Sequence, residues 1–159
     1  MRQRVVVDPE HAPLAANGDN DMGTRNEELP LRPSMRAISY EDLINFDEMA
    51  YRHYGWWNYG RKTMRDINDD IIAPYCKREK RPYAQKYNQN GLKVGAFVTH
   101  CWDEPFADFV HSIQSVFYSW PNKPALRICS FALTQEQHCL KIELGHSIPD
   151  SPFVQADNS

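Results

Sequence analysis

Leu92-Lys93-Val94-Gly95-Ala96-Phe97-Val98-Thr99 and Ala125-Leu126-Arg127-Ile128-Cys129-Ser130-Phe131-Ala132-Leu133 are the two stretches that decide the fold. Each is short, apolar and bounded by turn-forming residues, the pattern of a strand buried on both faces. Between them Phe106, Phe109, Val110, Ile113, Val116 and Phe117 recur at the three- and four-residue spacing of one apolar helix face. Asp103 is placed to cap that helix, with Glu104 and Pro105 in its first turn, where a carboxylate and a proline are both favoured. Trp120-Pro121-Asn122-Lys123-Pro124 ends it. Strand, helix, strand in this order predicts a βαβ unit with parallel strands.

Upstream the periodicity is helical. Asn88-Gln89-Asn90-Gly91 is a turn, with Gly91 free to take a positive φ. A helix is expected from Thr63, with Asp66 completing a capping pair and Met64, Ile67, Ile71, Ile72 and Tyr75 forming its apolar stripe. Pro74 should kink or shorten it. The charged run Lys77 to Arg81, interleaved with Tyr75, Tyr83 and Tyr87, reads as a solvated helix end. Another helix is expected after Ser39, an N-cap with Asp42 three residues on. Leu43, Ile44, Asp47, Ala50, Tyr51 and Tyr54 follow at helical spacing, and Gly55 is placed to stop it. Trp56-Trp57-Asn58-Tyr59-Gly60 reads as an aromatic connector whose rings anchor on the domain surface.

The eight tyrosines, seven phenylalanines and four tryptophans all lie from Tyr40 onward. The first 36 residues hold Pro9, Pro13, Pro30, Pro33 and the polar stretch Asn17 to Asp21, too little apolar surface to offset their ordering entropy. The expected organisation is a disordered tail over 1–36, a helical N-terminal extension over 37–90 and an incomplete α/β domain over 91–159. Two parallel strands leave open edges. Beyond Leu133 only Leu140, Ile142, Leu144 and Phe153-Val154 could add to them, so a truncated sheet is expected.

The 159 residues carry a formal net charge of -3, which argues against a duplex nucleic-acid binder. No apolar run reaches the ~18–20 residues of a membrane span, and Met1 to Val7 is too short for a secretory signal, so a cytoplasmic protein is expected. No two of Cys76, Cys101, Cys129 and Cys139 are joined by a C-x-x-C spacing, and they read as thiols that pack as small apolar residues.

In open parallel sheets ligands bind beyond the carboxyl ends of the strands. Thr99-His100-Cys101-Trp102-Asp103-Glu104 and Thr134-Gln135-Glu136-Gln137-His138-Cys139 occupy those ends and should lie side by side. Three chemistries fit them. A cysteine nucleophile would pair Cys101 or Cys139 with His100 or His138, the base coming from the opposite segment because adjacent strand residues face opposite ways. No nucleophile-elbow glycines surround either cysteine. Zinc suits histidine and cysteine, but the spacings lack the gaps of zinc modules, so no metal site is assigned. The third reading, a hydrogen-bonded packed rim, is preferred. Its candidate ligand-facing residues are Thr99, His100, Cys101, Trp102, Asp103, Glu104, Gln135 and His138.

The run Ala96-Phe97-Val98-Thr99-His100-Cys101-Trp102-Asp103-Glu104-Pro105-Phe106-Ala107-Asp108-Phe109-Val110 resembles the opening of TIR-like domains, where a strand ending in serine/threonine-histidine leads into an acidic amphipathic helix. It is more similar still to a group of algal TIR-like proteins that share a V-S-H-x-W-x-E-P-F-x-x-F-V block and a W-I-C-x-F-A-x-N-Q strand. Here the second block reads Arg127-Ile128-Cys129-Ser130-Phe131-Ala132-Leu133-Thr134-Gln135. Tyr83-Ala84, Asn88 to Gly91 and Ser151-Pro152-Phe153-Val154 resemble that group too. Fungal heterokaryon-incompatibility domains show a related opening and an I-D-x-x-C-I-N-Q strand.

The resemblance spans residues 63–155 and implies part of a flavodoxin-like, TIR-like parallel sheet. It also implies a signalling module that acts through protein–protein contacts, self-association among them, with no cofactor; the acidic balance and the lack of a long apolar run set nucleic acid and membrane aside as partners. Thr99 and Cys101 depart from the serine and small residue usual around the histidine. TIR domains that cleave NAD use a glutamate near a tryptophan-cysteine pair, and this chain has no Trp-Cys sequence. Cys139-Leu140-Lys141-Ile142-Glu143-Leu144 imitates that environment but follows the second strand directly, so no catalytic residue is carried over. An NAD-cleaving hydrolase, with Glu143 as its carboxylate, is the alternative. A fragment of a larger protein, without function of its own, is the third reading.

Overall fold

The computed structural model describes residues 5–7 and 31–134. The chain is α/β. Strand β2 (Ala96–Val98) runs parallel to β3 (Leu126–Ile128), with Ala96 opposite Leu126 and Val98 opposite Ile128. Helix α5 (Phe106–Phe117) connects them and buries Phe106, Phe109, Val110, Ile113 and Phe117. The expected Val116 is the exception, exposed at the edge of the stripe.

Both strands are shorter than their apolar runs. The first half of Ala125–Leu133 is extended, but Cys129–Ala132 coils into a one-turn helix, α6, which buries Ser130, Phe131 and Ala132. Apolar runs of this length do not distinguish strand from buried helix. Helix α5 also starts later than expected, with Pro105 rather than Asp103 at its N-cap. The α5 amide of Phe106 donates to the Lys62 carbonyl at 2.8 Å instead.

One open edge is covered by a segment assigned above to a disordered tail and the other by Ile38, just beyond that tail, whose assignment is corrected over 5–7 and 31–36. Val5–Val7 forms β1, antiparallel to β2, and three β-branched residues suit such a strand. On the other side Ile38 exchanges backbone hydrogen bonds with Leu126 at 2.9 and 2.8 Å. Leu31 to Arg36 is held as well. The Leu92 amide donates to Met35 O at 2.7 Å, the Val94 amide to Ser34 O at 2.9 Å, and buried Arg127 donates from Nη1 to the Pro33 carbonyl. The proline-rich composition concealed this because the bonds are made by backbone. Gly91 turns the chain here at φ 82°, where a Cβ would lie 2.9 Å from Met35 O.

The helices before the sheet share its core. Helix α1 (Tyr40–Tyr54) starts at Ser39, whose Oγ accepts the Asp42 amide at 3.0 Å, and it stops at Gly55. Its buried face is Leu43, Phe46 and Ala50. Phe46 meets Tyr83, Phe106 and Phe131 edge to face at centroid distances of 5.3, 5.7 and 4.8 Å. The helices of residues 40–79 therefore share one continuous core with the sheet.

The connector after α1 is itself a turn of helix, α2 (Trp56–Tyr59), and only Tyr59 is buried. Helix α3 (Met64–Ile67) has the expected capping box, with Thr63 N–H to Asp66 Oδ2 at 2.8 Å and Asp66 N–H to Thr63 Oγ1 at 3.2 Å. A π turn over Asn68–Ile72 then leads into α4 (Ala73–Glu79). The helical run continues through Pro74. The wider turn just before it makes room for a ring that would otherwise clash with the carbonyl four residues back. The expected contributors Leu140, Ile142, Leu144, Phe153 and Val154 lie outside the described residues.

Candidate functional site

The parallel register brings the chain after β2 and the chain after β3 to one end of the sheet. The two imidazole–thiol partners found there differ from those expected. His100 Nε2 lies 2.9 Å from Sγ of Cys129, the first residue of α6. The base and the sulfur do come from opposite segments, but the sulfur belongs to neither cysteine named above. Cys101 points away from the pair and is exposed, and Cys139 and His138 lie outside the described residues, as do Gln135 and Glu143.

The His100 ring is fixed from two sides. Trp102 packs edge-on to it at 4.9 Å between centroids and Phe109 at 5.9 Å. The segment that carries Trp102 is tied down by α3, whose first amides would otherwise lack partners. Met64 N–H donates to Glu104 O at 3.0 Å and Arg65 N–H to Trp102 O at 2.9 Å. Glu104 Oε1 accepts the Cys101 amide at 2.9 Å, which closes the turn. Outside it, Arg65 pairs with exposed Asp103 at 3.2 Å and sits 6.0 Å from the Trp102 ring. Thr99 is exposed. Of the expected rim, His100, Trp102 and Glu104 thus converge, while Thr99, Cys101 and Asp103 face outward.

Burial sets the protonation of the pair. It lowers the pKa of His100, and a backbone group of Cys101 and the charge of Glu104 only partly oppose this. It raises the pKa of the Cys129 thiol against the pull of the Ser130 amide, the charge of Arg127 and its own amide. Both shifts favour neutral forms, a thiol beside an imidazole rather than a standing thiolate–imidazolium pair. Sequence reading missed Cys129 because it treated residues 125–133 as one strand. Ending that strand at Ile128 would have placed Cys129 beside the chain that follows Val98.

A second group of polar contacts joins α1, α2 and the π turn. The Tyr54 hydroxyl donates to Asp70 Oδ2 at 3.0 Å, Lys62 pairs with Asp70 at 3.2 Å, and the Tyr59 hydroxyl donates to Asp47. Burial raises the pKa of Asp47 and of both tyrosines. These contacts fasten α2 to its neighbours, yet Trp56 and Trp57 remain 71% and 58% exposed, and Tyr51 47%. Anchoring on the surface, the reading given to these tryptophans above, does not describe them.

Among the described residues no group of three or more histidine, cysteine, aspartate or glutamate side chains is placed to hold a metal ion. No helix among them is long and apolar enough to cross a membrane. No family model matches the chain, and neither a curated protein nor a solved structure does.

Proposed function

We propose that the chain is a TIR-like signalling module that works through protein–protein contacts, with association between copies of itself as the simplest form. The observation that carries this reading is the exposed aromatic surface at the end of α1 and on α2. Trp56 and Trp57 stand edge to face at 5.2 Å, Tyr51 packs on Tyr59 at 5.5 Å, and Arg61 lies over Trp57 at 5.2 Å. Tryptophan, tyrosine and arginine are the residues that most often dominate binding energy at protein interfaces. Contiguous exposed apolar groups mark interaction surfaces. The two sequence blocks around His100 and Cys129 support the TIR-like assignment.

NAD cleavage has less behind it. Its carboxylate would be Glu143, outside the described residues, and His100 is engaged by Cys129 and Trp102. Size-exclusion chromatography with light scattering over a wide concentration range tests the proposal. Association that rises with concentration, and that is lost in the Trp56→Ala/Trp57→Ala variant, is expected. A well-folded chain that stays strictly monomeric at the highest concentration overturns it. Nicotinamide release from NAD by the concentrated protein would replace it with the enzymatic reading.

A further inference from the structure

We infer that Cys129 and His100 form a nucleophile–base pair that takes small uncharged carbonyl electrophiles, acylating or alkylating, onto the Cys129 sulfur. The inference is independent of the interaction surface on α2. Four observations lead to it. The two groups sit at the carboxyl ends of neighbouring parallel strands, where open sheets bind ligands. Their reacting atoms are 2.9 Å apart, within the reach required of a base and its nucleophile. The ring is held in that pose by Trp102 and Phe109. Both side chains keep partial exposure, whereas Cys76 is buried, and exposed Cys101 provides an internal reference.

The step is a simple displacement. With iodoacetamide, Sγ of Cys129 attacks the carbon that bears iodine. The S–C bond forms as the C–I bond breaks, and iodide leaves with the bonding pair. The thiol proton passes to Nε2 of His100 and from there to water. With an activated ester the sulfur adds to the carbonyl carbon and the alkoxide or phenolate leaves with its electron pair, so Cys129 ends as a thioester. Because burial keeps the resting pair neutral, the imidazole must take the proton at the moment of attack, as a general base does. The charged groups near the pair are Glu104, which favours a protonated His100, and Arg127, which favours ionised Cys129. Arg65 and Asp103 neutralise each other beside Trp102.

The experiment uses the full chain and limiting iodoacetamide from about pH 5 to about pH 9, a range that spans ordinary histidine and thiol titration. Labelling at Cys129 and Cys101 is quantified by peptide mass spectrometry. The Cys129 rate should rise as His100 loses its proton and level off by neutral pH, with the Cys101 rate read beside it as the reference. His100→Gln should slow Cys129 about a hundredfold, a general-base effect, with Cys101 unchanged. If that variant loses its circular dichroism spectrum, the wild-type pH profiles decide alone. The inference is overturned if Cys129 stays unlabelled, if its rate follows pH as that of Cys101 does, or if folded His100→Gln labels Cys129 at the wild-type rate.

Discussion

Phe46→Ala should bring this protein close to unfolding. Phe46 is fully buried and touches three regions of the core: Tyr83 after α4, Phe106 at the start of α5 and Phe131 in α6. Truncating a buried phenylalanine costs about 3–5 kcal/mol, with the upper end expected where neighbours cannot collapse into the space. Here the neighbours belong to three separate elements, so the cavity should persist. A domain of this size has about 5–15 kcal/mol in total, so the variant retains little at the lower bound. In urea, a slope of about 2 kcal/mol per molar converts a loss of about 4 kcal/mol into a midpoint shift of about 2 M. Phe46→Leu, which keeps most of the volume but loses the edge-to-face geometry, should shift the midpoint by less than half as much. Unfolding is followed by tryptophan fluorescence and by circular dichroism, and the two curves should coincide for the wild type. A Phe46→Ala shift below about 0.5 M, or two separated transitions, would refute the single core and restore an independent helical extension.

Three further outcomes follow from the contacts described. Thr63→Ala and Asp66→Ala each remove half of the α3 capping box, and each should cost about 1 kcal/mol in the same urea titration, with the double variant less than additive. The His100–Cys129 pair should give a stability plateau bounded on both sides. His100 is lowered, so stability is complete above its ordinary value of 6.5 and declines as pH falls below it. Cys129 is raised, so stability is complete below its ordinary 9.0 and declines as pH rises past it. Thermal melts of wild type and Cys129→Ala across pH should differ in shape on the alkaline side. Trp56→Ala/Trp57→Ala should leave the unfolding free energy in urea within about 0.5 kcal/mol of wild type, since exposed residues carry little stability, and a larger loss would mean the rings are packed after all.

The elements with a strong period were legible in the sequence. The α5 stripe, the Ser39 and Thr63 caps, the Gly55 stop and the parallel pairing of the two apolar runs are all present. What was not legible depends on contacts between distant segments. Composition placed Leu31 to Arg36 in a tail because its hydrogen bonds come from backbone groups and from Arg127, 94 residues beyond Pro33. Residues 125–133 read as one apolar run interrupted only by Arg127 and Ser130, and no local residue marks the change from strand to helix at Cys129. That one boundary decided the site: with it missed, Cys129 counted as core and the search for a sulfur went to Cys101 and Cys139. Phe46 was likewise passed over in favour of Ile44 and Asp47, because the deciding partners, Phe106 and Phe131, lie far along the chain. The α/β character therefore survived errors that the site did not.

The reciprocal bonds between α3 and the turn ahead of α5 bear on how the sulfur is reached. Helix starts usually fray, and their first amides swap protons with solvent quickly. Here the amides of Met64 and Arg65 are occupied by carbonyls of the very segment that holds Trp102 against the imidazole. Moving the backbone that carries the indole means breaking those two bonds together, so slow deuterium uptake at Met64 and Arg65 would report how firmly Trp102 is held against His100.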